Sequence, residues 1–318
     1  MSPCSLGRKT KKTPPFLRCG SGRERRERRQ RFQGRGREDA TPRQRTNKNN
    51  NTTNQKTLTP LLLPPLPSST VPKSDWTSVV SLQPQHEYFL PWFANAGFDA
   101  YAIDLPGRRN RSDYARLQDY TISDYQDAVF AVIDSFDQPP IVVGHSMGGF
   151  LGWRAAEEKD IAALVMMAPV PPTGLAAPAM QLAVTNPALA MDVASVHAGD
   201  IASVDTLHQT MFSKSVLKDV AAQYISRFQG ESQLAVAGLY NPRMPNIMGV
   251  WGTLIKIVGG DSDPLIPAAH VHWTGSICGR SAYIYENMGH GMMLETDWLR
   301  VAEDISEWLD DQGLRVSD

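Results

Sequence analysis

Cysteine is scarce in this 318-residue chain: Cys4, Cys19 and Cys278 are the only three, and no framework spacing joins them. That excludes a disulfide scaffold and a zinc site of the usual spacing. It fits a reducing compartment, and a cytoplasmic location is expected. Long apolar runs are missing too. The best candidate, LTPLLLPPLP (58–67), carries four prolines, whereas a membrane-spanning helix needs roughly 18 or more uninterrupted apolar residues. The same stretch follows almost sixty polar residues, which is too late for a secretory signal. There is no internal repeat, and the length permits one large domain or two small ones.

Charge of one sign is lacking only in total. The formal net charge of −1 splits into 17 Lys/Arg against 4 Asp/Glu over residues 1–59 and 15 against 29 over residues 60–318, so +13 and −14. Residues 1–59 include RERRERRQRFQGRGRE (23–38) and NKNNNTTNQ (47–55) and have almost no apolar residues at helical or strand period. Such a segment buries too little surface to offset its ordering entropy, and it is expected to be a disordered basic tail. With Phe16 and Phe32 as its only aromatics, it is not expected to bind nucleic acid, although a basic segment of this kind attracts polyanions in general. An Arg-rich organelle presequence stays open. Residues 60–75 read as a Pro-rich extended linker.

From about residue 76 the pattern becomes regular. Strand-like runs at 98–104, 140–145, 162–169, 253–260 and 281–286 alternate with helical periodicity at 86–96, 123–137, 147–159 and 297–312. This predicts an α/β domain over 76–318, with a mostly parallel sheet covered by helices on both faces. Residues 171–250 break the alternation. They hold several helical patterns and no convincing strand, which predicts a helical insertion. In VLKDVAAQYISRFQ (216–229), Val216, Val220, Ala221, Tyr224 and Phe228 share one face.

The strand PIVVGH (140–145) runs into Ser146-Met147-Gly148-Gly149 and then the helix FLGWRAAEEK. Gly144-His145-Ser146-Met147-Gly148 is a G-x-S-x-G in strand–turn–helix context, a nucleophile elbow. The turn strains the serine backbone, leaves no room for neighbouring side chains, and sets Ser146 at a helix N-terminus that favours developing negative charge.

A serine hydroxyl needs a base. Of seven histidines, His86, His145, His197, His208, His270, His272 and His290, His290 alone lies on a glycine-flanked loop just past a strand, in ENMGHGMML (286–294). That is the end of a strand where sites collect in open α/β sheets. The residue orienting this base is sought in GGDSDPLIP (259–267), where Asp263 is preferred to Asp261 because Pro264 fixes the chain behind it. Glu231-Ser232 reads first as a helix start, with a substrate contact as the other reading.

The elbow VVGHSMGG (142–149), the acid loop GGDSDPLIP, the histidine loop NMGHGMML and YAIDLPGRRNRSD (101–113) together resemble the α/β-hydrolase superfamily over about residues 76–312. The resemblance implies a Ser146–Asp263–His290 triad, an acyl-enzyme, a helical cap at about 171–250, and no cofactor or metal. It implies a small-molecule partner, a carboxylic ester or thioester of a small to medium apolar substrate. It also implies an oxyanion hole made from the N–H of Met147 and one N–H of a glycine-containing loop after an earlier strand.

Here the chain departs from the pattern. TSVVSLQPQHEYF (77–89) has no His-Gly, and Pro84 has no N–H, which leaves Leu82 or Gln83 as the donor. Three readings stay open. In the preferred one, residues 1 to about 75 replace a genuine family N-terminus through a gene-model error. In the others the enzyme is weakened, or catalysis has been lost and the protein is a non-catalytic binding protein. Cofactor-free haloperoxidase and C–C hydrolase chemistries, which keep the serine, stay open as well. Epoxide and dehalogenating members of the fold place an aspartate where Ser146 stands.

Overall fold

The computed structural model describes residues 88–108 and 111–314, together with two strands, β1 (Phe16–Cys19) and β2 (Ser78–Ser81). The expected linker at 60–75 and the remainder of the basic segment lie outside the described residues. So do Leu82, Gln83 and His86.

Among the described residues, seven strands form one sheet in the order β1-β3-β2-β4-β5-β6-β7, where β3 is Asp99–Ile103, β4 Ile141–His145, β5 Ala163–Met167, β6 Leu254–Gly260 and β7 Ala282–Tyr285. All neighbours pair parallel except β1, which runs antiparallel to β3 with Phe16 opposite Ile103. The sequence pattern did not anticipate β1. Four residues, FLRC, are too short to display a strand period, and they stand among basic residues.

The parallel strands are apolar on both sides because both faces are covered. On β5, Ala163, Val165 and Met167 join one core with helix α1 (Phe89–Asn95) and the last helix. The intervening Leu164 and Met166 join a second core with Tyr125, Val129, Leu151 and Trp153. Those four residues come from α3 (Ile122–Ile133) and α4 (Met147–Glu158), while α2 is the short Arg111–Tyr114. Thr121 starts α3 through a reciprocal capping box with Asp124, which satisfies two N–H groups at the helix start.

Between β5 and β6 the chain forms a cap of five helices: α5 (Ala176–Thr185), α6 (Pro187–His197), α7 (Val204–Met211), α8 (Lys218–Ile225) and α9 (Gln233–Tyr240). The periodic stretch 216–229 forms a helix over Lys218–Ile225 only; Val216, Ala221 and Ile225 are its buried positions, and Val220, Tyr224 and Phe228 are half-buried. Two helices complete the domain, α10 (Ala268–Ile277) and α11 (Trp298–Asp311). Val301, Ile305 and Leu309 of α11 are buried on one stripe.

Candidate active site

Ser146 sits between β4 and α4 with φ 53° and ψ −119°, a sparsely populated conformation for a residue with a side chain. Such strain costs on the order of 1–3 kcal/mol and persists where the surroundings enforce it. Here the Ser146 N–H donates to the Met167 carbonyl at 3.0 Å, and the Ser146 carbonyl accepts from Val170 N–H at 3.0 Å. Gly144 is obligatory: a Cβ there would lie 2.2 Å from the Gly148 carbonyl oxygen. Met147 opens α4, where the first N–H groups find no acceptor within the helix.

His290 and Asp263 come together from two later strand-end loops. His290 Nδ1 lies 2.7 Å from Asp263 Oδ2, and both side chains are buried. The other oxygen of Asp263 accepts from the Leu265 and Ile266 N–H groups at 2.8 and 2.9 Å, which fixes the carboxylate plane. Asp261 is exposed and accepts from the Ser262 hydroxyl instead. The turn into the histidine loop uses Asn287 at φ 54°, a left-handed conformation that asparagine tolerates.

The histidine loop abuts the elbow. His145 Nε2 lies 2.7 Å from the His290 carbonyl oxygen, and the two rings are 4.6 Å apart. A carbonyl only accepts, so His145 donates through Nε2. Burial, and then the neighbouring His290, push the His145 imidazole well below its ordinary pKa, so it is neutral. The motif alone hid this contact, because the pairing of 145 with 290 exists only in the fold.

Of the other described histidines, only His197 lines the same cavity as Ser146. His197 pairs with the Tyr240 hydroxyl at 3.1 Å, His208 with the Val216 carbonyl at 2.8 Å, and His270 and His272 ride on α10.

Ser146 and Met147 line a cavity of about 890 Å³ beneath the cap, walled by apolar side chains including Leu182, Val193, Phe228 and Val236. Its polar wall includes Gln118 and Glu231. Glu231 is fastened to the core: Arg108 donates to Oε2 at 2.5 Å, and the Tyr125 hydroxyl donates to Oε1 at 2.9 Å. Desolvation, and then the Glu231 charge, push the Tyr125 phenol far up, so it serves as donor. Ser232 caps α9 by accepting from Ala235 N–H, the helix start read from the sequence. Among the described residues no group of three or more His, Cys, Asp or Glu is placed to hold a metal ion. Among them, too, no helix is long and apolar enough to cross a membrane.

A serine strained at a strand-to-helix turn of a parallel sheet, beneath a cap inserted between later strands, is the arrangement of the α/β-hydrolase fold. The chain belongs to the alpha/beta hydrolase family, whose sequence profile matches residues 61–304.

Solved structures agree in fold. Bromoperoxidase from Bacillus anthracis superposes with a TM-score of 0.57 at 17% identity, covering 74% of this chain and 92% of its own. Polyneuridine aldehyde esterase gives 0.57 at 18%, covering 73% and 100%. A monoacylglycerol lipase from Paleococcus ferrophilus gives 0.51 at 17%, covering 74% and 93%. No curated protein sequence matches the chain.

Proposed function

We propose that this protein is a serine hydrolase acting on a carboxylic ester or thioester of an apolar, medium-sized substrate. The observation that carries the reading is the His290–Asp263 pair at 2.7 Å beside an elbow whose serine opens into an apolar cavity. Asp263 accepts a hydrogen bond from His290 Nδ1–H, which leaves the Nε2 lone pair facing outward as the base. Ser146 Oγ attacks the carbonyl carbon and its proton passes to His290. In this reading the Met147 N–H and the N–H of Leu82 or Gln83 stabilise the oxyanion. The protonated imidazole returns its proton to the departing alcohol or thiol. Water, activated by His290, then releases the acid from Ser146. A cavity of about 890 Å³ lies at the upper end of the range for drug-sized ligands.

Pro84 and the absence of glycine at 82–87 favour a second reading, a weakened or non-catalytic binding protein. Losing one oxyanion donor typically lowers the rate on the order of 10²–10³-fold. A fluorophosphonate probe separates the readings. Labelling of the full chain that disappears in Ser146→Ala supports the hydrolase, whereas no labelling of folded protein overturns it. Halogenation or C–C cleavage with no ester turnover would assign the serine to another chemistry of this fold.

A further inference from the structure

We propose that Glu295 is a positioning residue that couples the seating of the cap to the orientation of His290. The inference rests on His290 being the base of the proposed hydrolase.

Glu295 follows the histidine loop, and it is 2% exposed. Its Oε1 accepts from the Gly289 N–H at 2.9 Å and from the Ser213 N–H at 2.5 Å. Its Oε2 accepts from the Ser213 hydroxyl at 2.9 Å and from the Ser215 hydroxyl at 3.4 Å. Gly289 immediately precedes His290, whereas Ser213 and Ser215 belong to the cap segment after α7. One buried carboxylate therefore bridges the backbone of the base to the backbone of the cap. Charge-assisted bonds of this kind are shorter and roughly twice as strong as neutral ones.

Two neighbouring features make the bridge specific. The Gly291 N–H donates to the Met211 carbonyl at 2.6 Å, a second tie from the same loop to the same cap segment. Gly289 also has no space for a side chain. A Cβ there would lie 2.6 Å from Glu295 Oε1, 2.6 Å from Ser213 N and 2.7 Å from the Phe212 carbonyl carbon. The glycine lets the cap backbone and the carboxylate close on the histidine loop. Residues 289, 290 and 291 are thus held by Glu295, by His145 and by Met211 respectively. If the cap segment moves off, Gly291 loses the Met211 carbonyl and Glu295 loses its Ser213 and Ser215 donors, so the carboxylate that holds the Gly289 N–H is no longer fixed in place, while the His145 tether remains. Cap displacement then loosens the loop on both sides of His290 without releasing the base.

The test uses the full chain with Glu295→Ala, Glu295→Gln and Ser146→Ala. Fluorophosphonate labelling of the unmodified chain, absent in Ser146→Ala, checks the hydrolase reading by itself; no labelling would overturn that reading and leave the Glu295 geometry to the spectroscopic arm. That arm follows the downfield proton resonance of His290 Nδ1–H, assigned by its loss in His290→Asn. In Glu295→Ala we expect this resonance to shift or broaden, kcat to fall tenfold or more, and KM to stay within about threefold. Glutamine keeps an acceptor oxygen for Gly289 and Ser213, so Glu295→Gln is expected to recover most of kcat. An unmoved resonance with unchanged kcat in folded Glu295→Ala overturns the proposal. So does a loss confined to KM, or one that vanishes at a temperature where the variant is fully folded. Should Glu295→Ala fail to fold, Ser213→Ala removes one cap-side donor alone; a smaller loss in kcat with a moved resonance supports the coupling, and no change in either overturns it.

Discussion

His145 Nε2 donates to the carbonyl oxygen of His290 at 2.7 Å, so the residue before the proposed nucleophile holds the backbone of the proposed base. Both residues are buried. His145→Ala would leave that carbonyl without this donor, which costs about 1–3 kcal/mol, beyond the void left by the ring. His145→Gln, which offers an amide N–H at similar reach, is expected to recover much of the loss. Urea unfolding midpoints of the two variants check this.

The pH dependence of stability has a defined sign. Burial lowers the pKa of His145, His197 and His270 in the folded chain. Below their unfolded value of about 6.5, the unfolded chain binds more protons, so stability falls as pH falls. A single fully buried group contributes up to about 1.4 kcal/mol per pH unit in that window. Asp124 and Asp205 have lowered pKa values, Asp124 through the Thr121 hydrogen bond and Asp205 through Lys218. Their contribution is lost only at pH values below about 4, outside the window. Melting temperatures should therefore be flat between about pH 7 and 8, below the range where the buried Cys278 and the tyrosines with raised pKa begin to act, and drop between pH 6.5 and 5, less steeply in His145→Gln.

Glu157 anchors the return of the chain from cap to sheet. Its carboxylate accepts from Trp153 Nε1 at 2.7 Å, Arg154 at 3.0 Å, Arg243 at 2.8 Å and Asn246 N–H at 2.8 Å. The Arg154 and Glu157 side chains are 2% and 0% exposed. Removing one partner of a buried pair strands the other, at a cost of about 3–5 kcal/mol. Glu157→Ala should lose that amount in equilibrium unfolding, with cleavage inside the cap appearing earlier in limited proteolysis than in the unmodified chain.

Chain-length selectivity follows from the apolar cavity. Each methylene transferred from water contributes about 0.8 kcal/mol, or roughly fourfold in kcat/KM. A series of p-nitrophenyl esters should rise by up to about that factor per methylene and level off when the cavity of about 890 Å³ is full. A preference for acetate over every longer acyl group would contradict the proposed substrate class.

The sequence alone determined the α/β architecture, because strands covered on both faces must be apolar on both, as β4 and β5 are. It also singled out Ser146, whose motif is local: the glycines and the serine strain all lie within five residues. His290 and Asp263 were legible as strand-end loop residues, while their 2.7 Å approach depends on β6 and β7 lying side by side.

Other features had no local signal. Strand β1 is too short to show a period, and its edge position comes from pairing with β3. Glu295 reads in the sequence as an ordinary charged residue ahead of a helix. Its burial, and its bonds to Gly289 and Ser213, arise because the cap, more than eighty residues earlier, folds back onto the histidine loop. Periodicity reports which face of an element is buried. Which elements meet, and which polar groups must then satisfy one another away from water, is decided by long-range packing, and here that packing joins the cap to the proposed base.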